Sequence, residues 1–137
     1  MRRRRGRAIK RPEQALQIAC VKWFALQHPK LAEYLHHSPN GGKRTKVEAG
    51  IFKAMGTKAG VPDLMLFYRP PMADWTGLAI EMKGPDGRVS DSQEAWLIRL
   101  ANQGWMTATC KDLATFKALV DEYLDTNDWP EARVKGD

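Results

Sequence analysis

Cysteine is scarce in this chain, and its placement rules out the chemistry that cysteines usually serve. Cys20 and Cys110 lie far apart, each in an apolar stretch, and neither belongs to a Cys-x-x-Cys pair. A zinc ribbon or a paired-thiol centre is therefore excluded, and both read as reduced core residues. Long apolar runs are missing too: none approaches the roughly 18 residues of a membrane span. The arginine-rich start is not followed by the apolar segment of a secretory signal. No membrane partner and a soluble, cytoplasmic protein are the expectation. No internal repeat is present, and 137 residues suit one domain with a single core.

Acidic residues are absent from the first eleven positions, where Arg2, Arg3, Arg4, Arg5, Arg7, Lys10 and Arg11 give a charge of +7. Residues 12–60 carry +4 and residues 61–137 carry −5, so the net +6 hides a steep gradient. A polyanion such as DNA would be drawn to the tail and to the group Lys43, Arg44, Lys46, Lys53 and Lys58, with salt-dependent affinity. Residues 1–11 also fit a disordered solubilising arm or a nuclear-localisation signal. The end of the chain from Asp125 is polar and holds Pro130 and Gly136, so little order is expected there.

Between these ends, residues 12–124 show clear punctuation. Pro12 and Glu13 open a helix running to about Gln27, with apolar Leu16, Val21, Trp23, Phe24 and Leu26. Glu13 and Gln17 lie one turn apart on it. Glu13 is either a favourable charge at the positive end of the helix dipole or a carboxylate facing the core's edge. Tyr34 to Ser38 reads as a short strand ended by the turn Pro39-Asn40-Gly41-Gly42. It holds His36 and His37, of which at most one can face a given site, and ordinary structural roles are expected for both. Thr45-Lys46-Val47-Glu48 fits a capping box for a helix to about Met55, stopped by Gly56. Ser90-Asp91-Ser92-Gln93 caps another that turns Ala95, Trp96, Leu97, Leu100 and Ala101 inward and ends at Gly104. A strand over 105–110 and an amphipathic helix from Leu113 to Leu124 complete the pattern.

The chemistry concentrates in residues 60–83. Leu64 to Tyr68 and Leu78 to Ile80 are short apolar runs separated by turn-rich Arg69-Pro70-Pro71 and Asp74 to Gly77, which predicts an antiparallel hairpin. With the turn centred near Met72, Asp63 falls opposite Glu81. Strand alternation then puts Asp63, Glu81 and Lys83 on one face, an arrangement that a one-residue slip would destroy. Two carboxylates so close need a positive charge between them, and oxygen donors in an open site suit Mg2+ or Mn2+. Asp63 and Glu81 would hold the ion with the backbone carbonyl of Met82, and Lys83 would orient or help deprotonate an attacking water. Gln93 stands just across the next turn, free either to close the capping box or to face this site.

The element order, with Pro62-Asp63 opening one hairpin strand and Glu81-Met82-Lys83 closing the next, resembles the PD-(D/E)xK nuclease fold. Within it the chain is similar to stand-alone VRR-NUC domains. The residues that carry the likeness are Glu13 with Gln17, Pro39 to Gly42, Lys58 to Leu64, Glu81 to Lys83, and Ser90 to Trp96. The resemblance implies an α/β fold with a restriction-endonuclease-like core, a mixed central sheet flanked by helices. It implies metal ligation by Asp63, Glu81, the Met82 carbonyl and Glu13, with Lys83 and Gln93 completing the catalytic set. It further implies a Mg2+- or Mn2+-dependent endodeoxyribonuclease of bacterial or phage type, acting as a homodimer on four-way (Holliday) junctions in recombination or repair. Flaps or ends as substrates, and a non-catalytic junction-binding module, are the competing functions. Trp23, Trp75 and Trp129 are candidates for the dimer interface or, equally, for the core.

Overall fold

The computed structural model describes residues 11–39 and 44–125. Its elements are α1 (Pro12–Gln27), a 3-10 turn (Ala32–Tyr34), β1 (Leu35–His37), α2 (Lys46–Ala54), β2 (Leu64–Leu66), β3 (Leu78–Met82), α3 (Asp91–Asn102), β4 (Met106–Cys110) and α4 (Leu113–Leu124). The four strands form one mixed sheet in the order β1-β2-β3-β4. The first two pairings are antiparallel and β3–β4 is parallel. A parallel pair cannot be closed by a tight turn, and α3 supplies the crossover. The α/β architecture, with a mixed sheet flanked by helices, is the one expected.

Side-chain alternation along β3 divides the core. Leu78, Ile80 and Met82 join Leu64, Leu66, Cys20, Phe24, Phe116, Val120 and Tyr123 in the cluster beneath α1 and α4. Ala79 points to the other face, where it meets Met65 and Leu100 with Trp96 and Trp105 around them. Cys20 and Cys110 are both buried free thiols. Glu81 is the next residue on the Ala79 face, so the same period that builds the core presents the carboxylate.

The hairpin register is as read from sequence: Leu64 pairs with Ile80, Met65 with Ala79 and Leu66 with Leu78. Met72, near the centre of the turn, takes a φ of 68°, a left-handed conformation uncommon outside glycine. The strand lengths differ from expectation. β2 stops at Leu66, and the amide of Phe67 bonds instead to the carbonyl of Tyr34 at 2.9 Å. β3 runs on through Glu81 and Met82 because β4 pairs with them, Glu81 opposite Thr109 and Met82 opposite Cys110.

Helix ends follow local chemistry. Thr45 accepts from the Glu48 amide at 3.1 Å, and Gly56, at φ 106°, closes α2 by donating to Lys53 while Thr57 donates to Phe52. That double bond pattern is a Schellman cap. Gly104, at φ 85°, ends α3 in the same way, with bonds to Ala101 and from Trp105 to Leu100. Ala101 on α3, expected inward, is exposed, and so are Val21 and Leu26 on α1, because a helix lying on a sheet buries only a narrow stripe. α2 buries none of its residues, leaving Val47, Ile51, Phe52 and Met55 exposed. The Asn40–Gly42 part of the expected turn, Lys43 and the tail beyond Asp125 lie outside the described residues. No described helix is long and apolar enough to cross a membrane.

Candidate active site

The site forms where β2 and β3 leave the turn-bearing end of the hairpin behind. Asp63, one residue before β2, accepts the backbone N–H of Met82 on its Oδ2 at 2.8 Å. This bond ties the carboxylate to the neighbouring strand at the level of Glu81. Lys83 follows β3, its amide bonded to the Cys110 carbonyl at 2.9 Å. Both ionisable side chains are nearly enclosed, Glu81 at 1% and Lys83 at 8% exposure.

Gln93 does both things that its position allows. As the third residue of the α3 capping box, its Oε1 accepts from the Ser90 amide at 2.9 Å, while its own amide bonds to Ser90 Oγ. The same Oε1 accepts from Lys83 Nζ at 2.7 Å, and Nε2 donates to Glu81 Oε1 at 3.0 Å. Lys83 Nζ lies 4.0 Å from that oxygen of Glu81. A helix cap thereby fixes the positions of the buried acid and the buried lysine together.

Gly60 keeps α3 and Asp63 adjacent. Its φ is 87°, and a Cβ there would fall 2.5 Å from the backbone carbon of Ser92 and 2.8 Å from the amide of Gln93. Backbone cannot retreat as a side chain can, so Gly60→Ala is expected to cost about 2 kcal/mol or more in thermal unfolding and to lower activity. A stability change below about 0.5 kcal/mol would show the contact to be soft.

The electrostatics call for a cation. Burial, above all, and the nearness of Asp63 push Glu81 up to about 9, with Lys83 only partly opposing them. Glu13, from the first turn of α1, is also raised, by burial and then by Asp63. Glu81 Oε2 is buried with no partner in hydrogen-bonding geometry, although Asp63 is near enough for the two carboxyls to share a proton. An orphaned buried oxygen among hard carboxylate donors fits Mg2+ or Mn2+. Among the described residues, no three His, Cys, Asp or Glu groups already stand as a ready-made cage.

Beside Glu13 and Asp63 opens a cleft of about 840 Å³, bordered also by Arg11, Gln17, His37 and the turn from Gly84 to Gly87. The structure therefore joins Asp63, Glu81, Lys83 and Gln93 in one network, with Glu13 and Arg11 on the cleft wall. Met82 buries its side chain in the core and brings its backbone beside Asp63. Arg44 donates to the Pro39 carbonyl at 2.9 Å and covers the Phe52 ring at 4.1 Å, while Lys46, Lys53 and Lys58 are exposed on and after α2. Arg2, Arg3, Arg4, Arg5, Arg7, Lys10 and Lys43 lie outside the described residues. His37 is the cleft residue that the sequence did not single out: of the two adjacent histidines, only the pairing of β1 with β2 shows which one reaches Asp63.

Comparison with known proteins bears on the family and the fold. The family model described as the VRR-NUC domain matches residues 11–112. A solved structure described as a VRR_NUC domain protein superposes with a TM-score of 0.70 at 29% identity, over 82% of this chain and 88% of that one. No curated protein matches the chain.

Proposed function

The chain belongs to the VRR-NUC nuclease family, and from that premise we propose a divalent-metal-dependent endonuclease that resolves four-way DNA junctions as a homodimer. The observation that carries the hydrolytic part is the buried network in which Gln93 holds Glu81 and Lys83 beside Asp63. A non-catalytic binding surface has no need of a buried acid and lysine locked at this spacing.

Asp63, Glu81 and the Met82 carbonyl would hold Mg2+ or Mn2+, with Glu13 reaching in from α1. A bound divalent ion supplies charge neutralisation at the scissile phosphate and acidifies water. Lys83, tethered by Gln93, orients the attacking water and meets the charge that develops on the phosphate. Water adds to phosphorus, the bond to one ester oxygen breaks, and that oxygen leaves with a proton. Arg11 at the cleft rim and the basic residues before it attract the DNA backbone, as do Lys46, Lys53 and Lys58.

A four-way junction is two-fold symmetric, and a two-fold dimer would deliver paired nicks. Trp23 and Trp75 are both partly buried against the core, Trp23 edge-on to Phe116 at 5.9 Å. Trp129 lies outside the described residues. The test is cleavage of matched linear duplex, flap and four-way junction DNA with Mg2+, Mn2+ or EDTA. Paired symmetric nicks in the junction, lost in EDTA, are expected. Equal cutting of linear duplex would refute the junction preference, and tight binding without metal-dependent cutting would refute the nuclease mechanism at this site.

A further inference from the structure

His37 has a bonding pattern that its neighbour His36 lacks. β1 pairs with β2 so that His37 stands opposite Leu64, next to Asp63. Its Nδ1 lies 3.0 Å from the backbone carbonyl oxygen of Asp63, which also receives the Ser38 amide at 2.9 Å. A carbonyl oxygen only accepts, so Nδ1 must carry the proton. In the neutral ring Nε2 is then a bare lone pair. The ring is exposed and borders the cleft that Glu13 and Asp63 also line. His36, on the sheet face of its partner Met65, packs near Phe67, with ring centres 6.1 Å apart, and does not border the cleft.

An imidazole whose one N–H is held by a backbone carbonyl is the usual arrangement of a histidine that ligates metal through its other nitrogen. Here the carbonyl belongs to Asp63, so any movement of that residue on metal binding carries the imidazole with it. We propose that His37 is a further metal ligand of this cleft, its Nε2 joining the carboxylates of Asp63 and Glu13 on a divalent cation and biasing the site toward Mn2+ over Mg2+. The selectivity follows from donor chemistry: Mg2+ favours oxygen and retains its waters, whereas first-row transition ions accept imidazole nitrogen beside carboxylates. The inference rests on the metal-dependent nuclease reading and adds a residue to it.

Two substitutions separate ligation from a purely structural role. His37→Asn keeps an N–H near the position of Nδ1, able to donate to the Asp63 carbonyl, but has nothing in place of Nε2. His36→Asn alters the neighbouring ring only. The full chain would be titrated with Mn2+ and with Mg2+ by calorimetry, and its Mn2+ complex examined by pulsed electron paramagnetic resonance for 14N coupling from a directly bound imidazole. The wild type and His36→Asn are expected to show that coupling. His37→Asn should lose it, with Mn2+ affinity falling about tenfold or more and Mg2+ affinity changing less than about twofold. Coupling and Mn2+ affinity retained in His37→Asn would overturn the proposal. Asp63→Asn is the control for the underlying reading. If it abolishes ion binding while His37→Asn changes nothing, only the role of His37 falls; if the wild type binds neither ion, the metal site falls with it.

Discussion

Lys83→Ala is expected to lower single-turnover cleavage of a four-way junction by about a thousandfold or more, with DNA affinity changed less than about threefold. The ammonium is held at one place by the 2.7 Å bond to Gln93 Oε1, beside the buried Glu81. It is thus positioned for a reacting group and is nearly withdrawn from the surface where DNA backbone would be gathered. The fold should survive its removal, because Gln93 Oε1 keeps the Ser90 amide and Nε2 keeps Glu81. Lys83→Arg should not restore the rate: a planar guanidinium cannot occupy the space of a compact ammonium in a site with 8% exposure. Cleavage in Mg2+ and binding in EDTA, measured on the same junction, separate the two effects. Near-normal cleavage by Lys83→Ala would remove the lysine from the mechanism.

Legibility in the sequence tracked how local each determinant is. The bounds of α1 and α4 are set by Pro12 and by the Asp112 cap with an amphipathic run, all within one segment. The Asp63–Glu81 alignment was also readable, since a turn centred near Met72 sets the register and alternation then buries Leu64, Ile80 and Leu78 together. Gln93 looked like a choice between capping and the site. One amide does both, because Oε1 has room for two donors and Nε2 is free for Glu81.

What stayed hidden depends on contacts between distant segments. The full length of β3 is fixed by parallel pairing to β4 across an entire helix. The bond of His37 to the Asp63 carbonyl needs the register of an edge strand whose connection to β2 contains α2. α2 itself has the apolar spacing of a packed helix, yet none of its side chains is buried. Glu13 is the intermediate case: spacing permits both a site role and a helix-dipole charge, and the fold adds that it lines the same cleft as Asp63, which, after burial, raises its pKa.

Glu81→Gln should make the metal-free protein more heat-stable while abolishing cleavage, and the size of the gain should depend on pH. Burial and Asp63 raise Glu81 from an ordinary 4.5 to about 9, so the folded state retains a proton that the unfolded chain releases over that interval. A raised folded pKa stabilises fully below the unfolded value, and that contribution is lost as pH rises through the folded one. The wild type in EDTA should therefore weaken steadily between about pH 4.5 and 9. Glutamine keeps the Oε1 acceptor for Gln93 Nε2 and resembles the protonated acid, but it has no proton to lose. At pH 8 it should melt about 5 °C or more above the wild type, with the gap closing toward pH 4.5. Added Mn2+ should reverse the order, because an ion that binds only the native wild type raises its melting temperature by mass action and Glu81→Gln has lost a charged ligand. Parallel melting curves for the two proteins across this pH range would mean that Glu81 is already ionised in the fold. The buried carboxylate would then need a permanent partner other than a metal.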